Sequence, residues 1–466
     1  MAKTGRGGRR NQKLNRPSSS SANSTQPLVK TLPEELIDQI LFRTPVKSLI
    51  RFRCVSKSWL LRTLHPRFIS MHLAYNAVNN KHLLCHTYDY DLVTKTSLNL
   101  IAYFSYMKRM VPVCYIDKCV KNGGSAKKIR FDEFSKEMVL AGSINGVMCL
   151  SQQGVEMRGR FVALWNNAIN RWKLIRVPRL KCECDRLYAS SVGLGFDEKN
   201  NDYKIVRIVP VVREPDFEEH RWSRVEIYSA NSNSWTEVGG EDGGFIGFWP
   251  KLPNCNFVIK GCPYWVGVDR PDDMRPYEPM QKHEFLGVVD PCTGLFKKVL
   301  YPEYVKNEST YVHPLNWKDS LAILVQSPGE QPTPILDMYW LDEKNQIWTK
   351  IHTMGPYYCF EGEYGFRIPQ SLTTGEIVIE SWKGTCLKQR TPFFWDPKIS
   401  DSAIYTSDYD TLCPLWYESY SHVESLVCVK GMELIEKEDK NKKKTKPAKK
   451  WTELFTKDFE SLLHLK

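Results

Sequence analysis

Two hydrophobic patterns divide the chain. Between residues 34 and 75, apolar side chains recur mainly three or four positions apart, which predicts short amphipathic helices. From about residue 80, stretches of alternating apolar and polar positions are separated by polar turns, which predicts β-strands. The pattern therefore predicts a small all-α domain of three to four helices followed by a large all-β domain.

The predicted helices have recognisable start signals. Pro45 ends the first helix and can open the second, for which Thr44 is a candidate N-cap. Ser56 can cap a third helix, and His65-Pro66 restarts the chain into a fourth. The apolar stripe of the first helix consists of Leu36, Ile37, Ile40 and Leu41.

This helical segment is rich in apolar residues for its length. A unit of about forty residues is marginal alone and usually needs a partner. A helical hairpin that completes a larger core is one explanation. A docking module that buries its surplus apolar surface on another protein is the other.

A longer unit repeats through the β-rich part. Polar turns lie at 166–170, 229–234, 290–294, 342–346 and 396–400. An aromatic residue follows each turn, at intervals of 52 to 63 residues: Trp172, Trp235, Phe296, Trp348 and Tyr405. This period, with two hairpins in each unit, is typical of a four-stranded propeller blade. An earlier unit that ends near residues 98–100 brings the expected number of blades to about six.

The repeat also predicts how the blades pack and close. Each of the five aromatic residues is expected to fill the space between adjacent sheets. The segment HVESLV (422–427) is expected to supply a last strand that closes the ring against HLLCH (82–86).

The net charge of +12 is concentrated near the two ends of the chain. Residues 1–30 carry +7 and residues 437–450 carry +6, so the remainder is nearly neutral at −1. A protein that grips nucleic acid carries its charge on a folded face, so nucleic acid is not an expected partner. The composition of both tails predicts disorder, with import signals as an alternative. The last residues, 451–466, have approximate helical spacing and predict a short amphipathic helix.

The sequence offers little catalytic chemistry. The fourteen cysteines form no CxxC pair, so we expect no metal site. Nucleophile-elbow and P-loop motifs are absent, and we expect no catalytic residue and no cofactor. No stretch approaches the ~20 apolar residues of a membrane span, and the first residues do not form a secretory signal. Reduced cysteines suit the nucleus and/or the cytoplasm.

The helical segment closely resembles the F-box of large plant F-box families. The resemblance rests on Leu32-Pro33, on Pro45-Val46-Lys47-Ser48-Leu49 and on the run from Arg53 to Trp59. Thr44 is a departure, because the family usually has Leu there. The resemblance implies a Skp-type adaptor, and through it a cullin, as partners. Carried over by position, the adaptor contacts fall on Leu32, Pro33, Leu36, Ile40, Leu41, Pro45, Leu49, Val55 and Trp59.

The β-rich part is similar to the F-box-associated, kelch-like interaction domain that follows such an F-box. Matching stretches include GSINGVMCLS (142–151), GLGFDEKNNDYKIVRIV (193–209) and FLGVVDPCTGLFKKV (285–299). The resemblance implies a β-propeller-like ring. The expected organisation is a basic tail (1–30), an F-box (31–76), a β-propeller-like domain (80–430), a Lys-rich linker (431–450) and a C-terminal helix (451–466).

These resemblances imply the substrate-recognition subunit of an SCF (Skp–cullin–F-box) ubiquitin ligase. The F-box would dock on the adaptor, and the β domain would recruit a target protein, without a catalytic residue in this chain. The alternative is an adaptor-bound protein whose β domain binds a ligand or glycan without driving ubiquitination, because propeller mouths can form ligand pockets. Target recognition is expected on loops such as 210–224, 239–254 and 268–284.

Overall fold

The computed structural model describes residues 32–434, with interruptions. The interruptions are 81, 89–97, 105–108, 117–137, 153–160, 179–185, 188–189, 213–220, 239–244, 253, 270–283, 306–309, 328–334, 355–363, 372–374, 384–389, 396–404 and 407–414. The predicted tails over 1–30 and 451–466, and most of the predicted linker 431–450, lie outside the described residues.

Four α-helices open the described chain. They are α1 (Glu34–Phe42), α2 (Val46–Phe52), α3 (Lys57–Leu64) and α4 (Pro66–Asn79). Internal contacts divide the chain into two units, Met1–Leu41 and Phe42–Lys466. Nearly all of α1 belongs to the first unit, and the other helices and all described strands belong to the second.

The starts of α3 and α4 follow the sequence signals. The Ser56 hydroxyl accepts a hydrogen bond from the backbone N–H of Trp59 at 3.2 Å, as a helix N-cap does. Pro66 occupies the first position of α4, where its missing N–H costs nothing. Both predicted helix starts are confirmed.

The predicted N-cap of α2 is wrong. Pro45, with a ψ of 143°, is the N-cap, and it makes no side-chain capping bond. The helix therefore begins at Val46, and Thr44 lies one residue before the N-cap position. Thr44 instead accepts a hydrogen bond at its backbone carbonyl from Nε2 of His72 on α4, at 3.1 Å.

The rest of the described chain is built from strands and one short 3-10 helix, Glu303–Val305. In chain order the strands are β1 His82–Tyr88, β2 Leu98–Phe104, β3 Arg109–Ile116, β4 Met138–Ile144, β5 Val147–Gln152, β6 Phe161–Asn166, β7 Arg171–Arg176, β8 Arg186–Leu187, β9 Ser191–Asp197, β10 Asp202–Val212, β11 Arg221–Ser229, β12 Ser234–Val238, β13 Phe245–Ile246, β14 Trp249–Pro250, β15 Phe257–Ile259, β16 Cys262–Val268, β17 Glu284–Val289, β18 Phe296–Leu300, β19 Tyr311–Trp317, β20 Ser320–Ser327, β21 Ile335–Asp342, β22 Ile347–Met354, β23 Tyr364–Ser371, β24 Ile377–Lys383, β25 Arg390–Trp395, β26 Tyr405–Thr406, β27 Leu415–His422 and β28 Glu433–Leu434.

The described strands form six antiparallel sheets that follow one another in a ring. Five sheets run in chain order: β4–β7 with β28 at the outer edge, β8–β13, β14–β18, β19–β22 and β23–β26. The sixth joins β27 to β1, β2 and β3. Neighbouring sheets touch through β4 and β9, β9 and β16, β15 and β19, β19 and β23, β23 and β27, and β27 and β4. This arrangement confirms an all-β, propeller-like ring of about six blades.

The ring closes on the predicted early strand, because HLLCH (82–86) lies in β1, but the strand that pairs with it lies earlier in the chain than predicted. β27 pairs with β1, from His422 opposite His82 to Leu415 opposite Tyr88. Of the predicted segment HVESLV only His422 belongs to this strand, and the residues after it leave the sheet. The reason is that Ser425 is held by the first sheet, where its hydroxyl donates a hydrogen bond to the carbonyl of Asn145 at 2.6 Å.

The polar turns behave as the sequence predicts. Asn170, Asn233 and Gln346 have positive φ values of 57°, 55° and 56° at the ends of three turns. Gly294 occupies the same place in a fourth, with a φ of 77°. Asn and Gly tolerate this left-handed conformation better than other residues do. The turn predicted at 396–400 lies outside the described residues.

Two of the predicted aromatic plugs bridge adjacent blades. Nε1 of Trp235 on β12 donates a hydrogen bond to the carbonyl of Arg176 on β7, at 3.1 Å. Nε1 of Trp348 on β22 donates a hydrogen bond to the carbonyl of Leu300 on β18, also at 3.1 Å. In both cases a tryptophan on the outermost strand of one blade reaches a strand of the blade before it, which agrees with the predicted position between adjacent sheets. The side chain of Tyr405 lies outside the described residues.

Buried side chains tie the middle of the ring together. The Tyr420 hydroxyl on β27 donates a hydrogen bond to the carbonyl of Cys255 at 2.5 Å. The Cys255 thiol donates in turn to the carbonyl of Ala141 on β4, at 3.4 Å. All three residues are buried, so these contacts connect three of the sheets through the core.

Candidate partner-binding surfaces

In the first unit, large apolar side chains are exposed on and just before α1. Leu32, Leu36 and Ile40 are 55%, 50% and 56% exposed, and Pro33 is exposed as well. Leu36 and Ile40 are four residues apart and therefore lie on one face of the helix. Leu41, which the family pattern assigns to the adaptor contact, is only 1% exposed. Leu41 is therefore a core residue in the chain without a partner.

In the second unit, some of the remaining predicted contact residues are exposed and others are buried. Val55, between α2 and α3, is 71% exposed, and Pro45 is exposed. Leu49 is fully buried, and Trp59 is half-buried with its ring edge against Phe52, at 5.1 Å between centroids. Leu49 therefore supports α2 from inside, while Val55 and Pro45 are available to a partner.

Arg53 holds the link between α2 and α3 in place. Its Nε donates a hydrogen bond to the Thr63 hydroxyl, and its terminal nitrogen donates to the Thr63 carbonyl, both at 3.1 Å. Thr63 is fully buried near the end of α3. Burial, with a smaller contribution from the nearby Arg171, lowers the pKa of Arg53 to about 10. Arg53 thus remains charged at neutral pH and fixes the backbone that presents Val55.

Helix α2 is also tied to the segment that follows the closing strand. Nζ of Lys47 lies 3.2 Å from a carboxylate oxygen of Glu424, and both side chains are partly exposed. An exposed pair of this kind contributes at most about 1 kcal/mol. The ion pair matters mainly because it connects α2 with Glu424, two residues after the closing strand β27.

Two histidines are buried at this closure. His82 and His422 are opposite each other on β1 and β27, with 5.2 Å between ring centroids. Nδ1 of His422 lies 2.7 Å from the hydroxyl of Ser143 on β4. Burial is the main cause that lowers the pKa of each imidazole, and the proximity of His82 lowers that of His422 further. Both rings are therefore neutral at pH 7.

A comparison with known protein families identifies both parts of the chain. The model of the F-box associated beta propeller domain matches residues 112–384, and the model of the F-box domain matches residues 30–68. The chain belongs to the F-box-associated β-propeller family. The first match covers most of the described sheets, and the second covers α1, α2, α3 and the start of α4.

Proteins of Arabidopsis thaliana that are similar in sequence to this chain are named as F-box proteins. F-box protein At3g07870 is 26% identical over 411 residues, which cover 80% of this chain and 86% of the relative. F-box protein At3g08750 is 24% identical over 261 residues, or 54% of this chain and 58% of the relative. F-box/kelch-repeat protein At3g23880 is 24% identical over 210 residues, or 44% and 50%. The chain spans about half the length of the last two relatives.

The loops predicted for target recognition in this F-box-associated domain are partly strands. Residues 210–212 end β10 and residues 221–224 begin β11, while 213–220 lie outside the described residues. Within 239–254 the chain forms β13 and β14. Glu284, which directly follows the interruption 270–283, forms a buried ion pair with Lys251 of the loop 239–254. The described ends of these loops are thus held by strand pairing and by an ion pair. The centres of the loops 210–224 and 268–284 lie outside the described residues.

Within the described part of the chain, no three His, Cys, Asp or Glu side chains are grouped so that they could hold a metal ion. None of the helices in the same part is long and apolar enough to cross a membrane.

Proposed function

We propose that this chain is the substrate-recognition subunit of an SCF ubiquitin ligase. The F-box docks on a Skp-type adaptor, which links it to a cullin, and the β-propeller recruits a target protein. The family membership supports the general role, and the adaptor, the cullin and the target are part of the proposal. A receptor of this kind acts in the nucleus or the cytoplasm, where we expect this chain.

The exposed apolar surface of the F-box carries the proposal. Leu36 and Ile40 on α1, and separately Val55 after α2, are each at least half exposed. Covering apolar surface gains roughly 25 cal/mol per Å², so these side chains favour a protein partner. In the first unit, we infer that Leu32 and Pro33 join the contact made by Leu36 and Ile40, and Leu41 is buried. In the second unit, we infer that Pro45 and the exposed part of Trp59 join the contact made by Val55, and Leu49 is buried within α2.

The proposed mechanism is proximity rather than catalysis by this chain. The cullin arm brings a ubiquitin-charged conjugating enzyme close to a target that is held on the propeller. Holding two reactants together raises their effective concentration. This chain supplies the geometry and the choice of target, and it contributes no catalytic residue.

Affinity capture from plant cells with the proteasome blocked tests this function. Three versions are compared: the intact chain, Leu36→Asp/Ile40→Asp, and the control Ile347→Asp, which places a charge on an exposed apolar side chain of the propeller. The intact chain and the control should capture adaptor, cullin and a ubiquitinated protein. The α1 variant should lose adaptor and cullin but keep the target protein.

Two results would count against the proposal. Adaptor capture that survives Leu36→Asp/Ile40→Asp would exclude the α1 surface as the docking site. Capture of the adaptor without any protein whose ubiquitination depends on the F-box would favour the ligand-binding alternative.

A further inference from the structure

A row of polar residues in mutual contact connects the ring closure with the helices. It runs from β4 of the first blade to the residue before Pro45, and it is here called the histidine network: Ser143, His422, His82, Asn80, Asn76, His72 and Thr44. Its three histidines are nearly inaccessible, with exposed fractions of 5% for His422, 6% for His82 and 0% for His72. Helices α2 to α4 and the sheets belong to one unit of the chain, so the network lies within that unit.

On the helix side of the network, both ring nitrogens of His72 have a partner. Nε2 lies 3.1 Å from the carbonyl oxygen of Thr44, and Nδ1 lies 3.2 Å from the amide nitrogen of Asn76. A carbonyl oxygen only accepts, so Nε2 carries the proton and Nδ1 accepts from Asn76. Asn76 in turn accepts a hydrogen bond at its Oδ1 from the side chain of Asn80, at 2.5 Å. These contacts suit a neutral His72, because a proton on Nδ1 would point at the N–H of Asn76.

At the ring closure, the network passes from β1 to β27 and on to β4. Nδ1 of His82 lies 3.4 Å from the carbonyl oxygen of Asn80, and the rings of His82 and His422 meet edge to face, 5.2 Å apart between centroids. Nδ1 of His422 lies 2.7 Å from the hydroxyl of Ser143. Asn80 therefore joins the two halves of the network, because its side chain contacts Asn76 on α4 and its carbonyl contacts His82 on β1.

The surroundings of the three rings favour their neutral forms. Burial lowers the pKa of His72, against a smaller opposite effect of the Thr44 carbonyl. Burial also lowers the pKa of His82, where the Asn80 carbonyl and Glu424 act in the opposite direction and Lys47 in the same direction. For His422, the proximity of His82 adds to the effect of burial. A second proton on any of these rings is therefore disfavoured while the network is closed.

We propose that the histidine network makes the connection between α4 and the ring closure sensitive to acid. When the connection opens, the three rings reach water and titrate near the ordinary histidine pKa of about 6.5. As the pH falls below this value, the open form takes up protons that the closed form excludes, so opening becomes more favourable. Only two residues separate the end of α4 from the start of β1, so α4 and the closing strands open in the same pH range. The connection belongs to the folded chain and does not depend on the proposed partners.

Amide hydrogen exchange of the full chain at pH 7.5 and pH 5.5 tests the proposal, with labelling times scaled to the intrinsic exchange rate at each pH. A histidine that is neutral in the closed form and has a pKa near 6.5 in the open form makes opening about tenfold more favourable at pH 5.5. After this scaling, backbone amides of α4, β1 and β27 should therefore exchange at least about tenfold faster at the lower pH. Strands β10 and β11, which contain no histidine, should change by less than about twofold.

The variant His72→Asn tests whether the two ends of the network act together. It removes one titrating ring from α4 and leaves the closure histidines in place, so the acid response should weaken by up to about tenfold in β27 as well as in α4. Distant sites without shared partners normally act independently, so a change in β27 would come through the network. The exposed His65→Asn, just before α4, is the control and should keep the wild-type response in both elements.

Faster exchange of α4 and β27 at pH 5.5, reduced in both by His72→Asn, supports the proposal. Three results with wild type would overturn it: no acceleration in α4 and β27, acceleration in only one of them, or an equal acceleration in β10 and β11, which indicates general acid unfolding. A folded His72→Asn chain in which β27 keeps the full wild-type response would overturn it as well. If His72→Asn does not fold, the wild-type comparison alone supports or overturns the proposal.

Discussion

At the scale of single residues, the part of α2 and α3 that is proposed to face the adaptor depends on side chains outside the proposed contact. Arg53 donates hydrogen bonds to Thr63, ten residues later in the sequence. His72 forms a hydrogen bond with the carbonyl of Thr44, 28 residues earlier. The sequence places Arg53 only in a family motif and gives no role to Thr63 or His72. Their roles depend on how the helices pack, which no local pattern encodes.

The first residue-scale prediction concerns Arg53. The variant Arg53→Lys keeps the charge but cannot make both bonds to Thr63, because an ammonium lacks the planar fork of a guanidinium. We expect a loss of about 1–2 kcal/mol in the free energy of unfolding. Thermal unfolding measures it, with the exposed Arg51→Lys as the control. Equal Tm values for the two variants would show that the Arg53 bonds do not matter for stability.

The second concerns the buried histidine pair. The folded chain keeps His82 and His422 neutral with lowered pKa values, whereas unfolded histidine titrates near a pKa of about 6.5. Below that pH the unfolded chain takes up protons that the folded chain does not, so stability is full above it and falls as the pH drops. Each histidine can contribute up to about 1.4 kcal/mol per pH unit in this window.

Unfolding at pH 7.5, 6.5 and 5.5 tests the histidine prediction. The Tm of wild type should fall between pH 6.5 and 5.5. In His422→Asn, whose amide can still bond to Ser143, the fall should be smaller. The exposed His65→Asn serves as the control and should follow wild type. A fall of the same size in all three proteins would contradict the role of the pair.

At the scale of elements, local signals predicted the strands and turns well, and pairing over long distances less well. The turns at 166–170 and 229–234 follow from Asn and Ser, and the tryptophans after them follow from the repeat. The closing strand was placed several residues too late. HVESLV and the true strand LWYESYSH are both plausible strands, and only the pairing across the ring decides between them.

The ring closure gives the element-scale prediction. A chain that ends after residue 414 lacks β27 and β28, so β1 and β7 each lose a partner strand. We expect this chain to lose cooperative thermal unfolding, because an unpaired inner strand leaves its backbone groups and apolar face in water. A chain that ends after Leu434 keeps every described strand and should unfold cooperatively near the Tm of wild type. Cooperative unfolding of the shorter chain would contradict closure by β27.

At the scale of the whole molecule, the F-box and the propeller serve the proposed role through different surfaces. Exposed apolar side chains lie on the helices, while the propeller is held together by its sheets and by buried hydrogen bonds. The family pattern assigns the adaptor contact to these helices, and this assignment stays a prediction. It did not separate the exposed Leu36 and Val55 from the buried Leu41 and Leu49, because burial depends on packing that sequence spacing alone leaves open.

The most direct test of the central claim is the affinity of the purified chain for a purified Skp-type adaptor. We predict a Kd of about 1 μM or tighter for wild type. Leu36→Asp/Ile40→Asp should bind at least about a hundredfold more weakly, because a carboxylate buried in an apolar contact without a partner is costly. Its Tm should not change, since both side chains are exposed in the free chain. Absence of binding by wild type, or equal affinity of the variant, would contradict docking of this chain on the adaptor through α1.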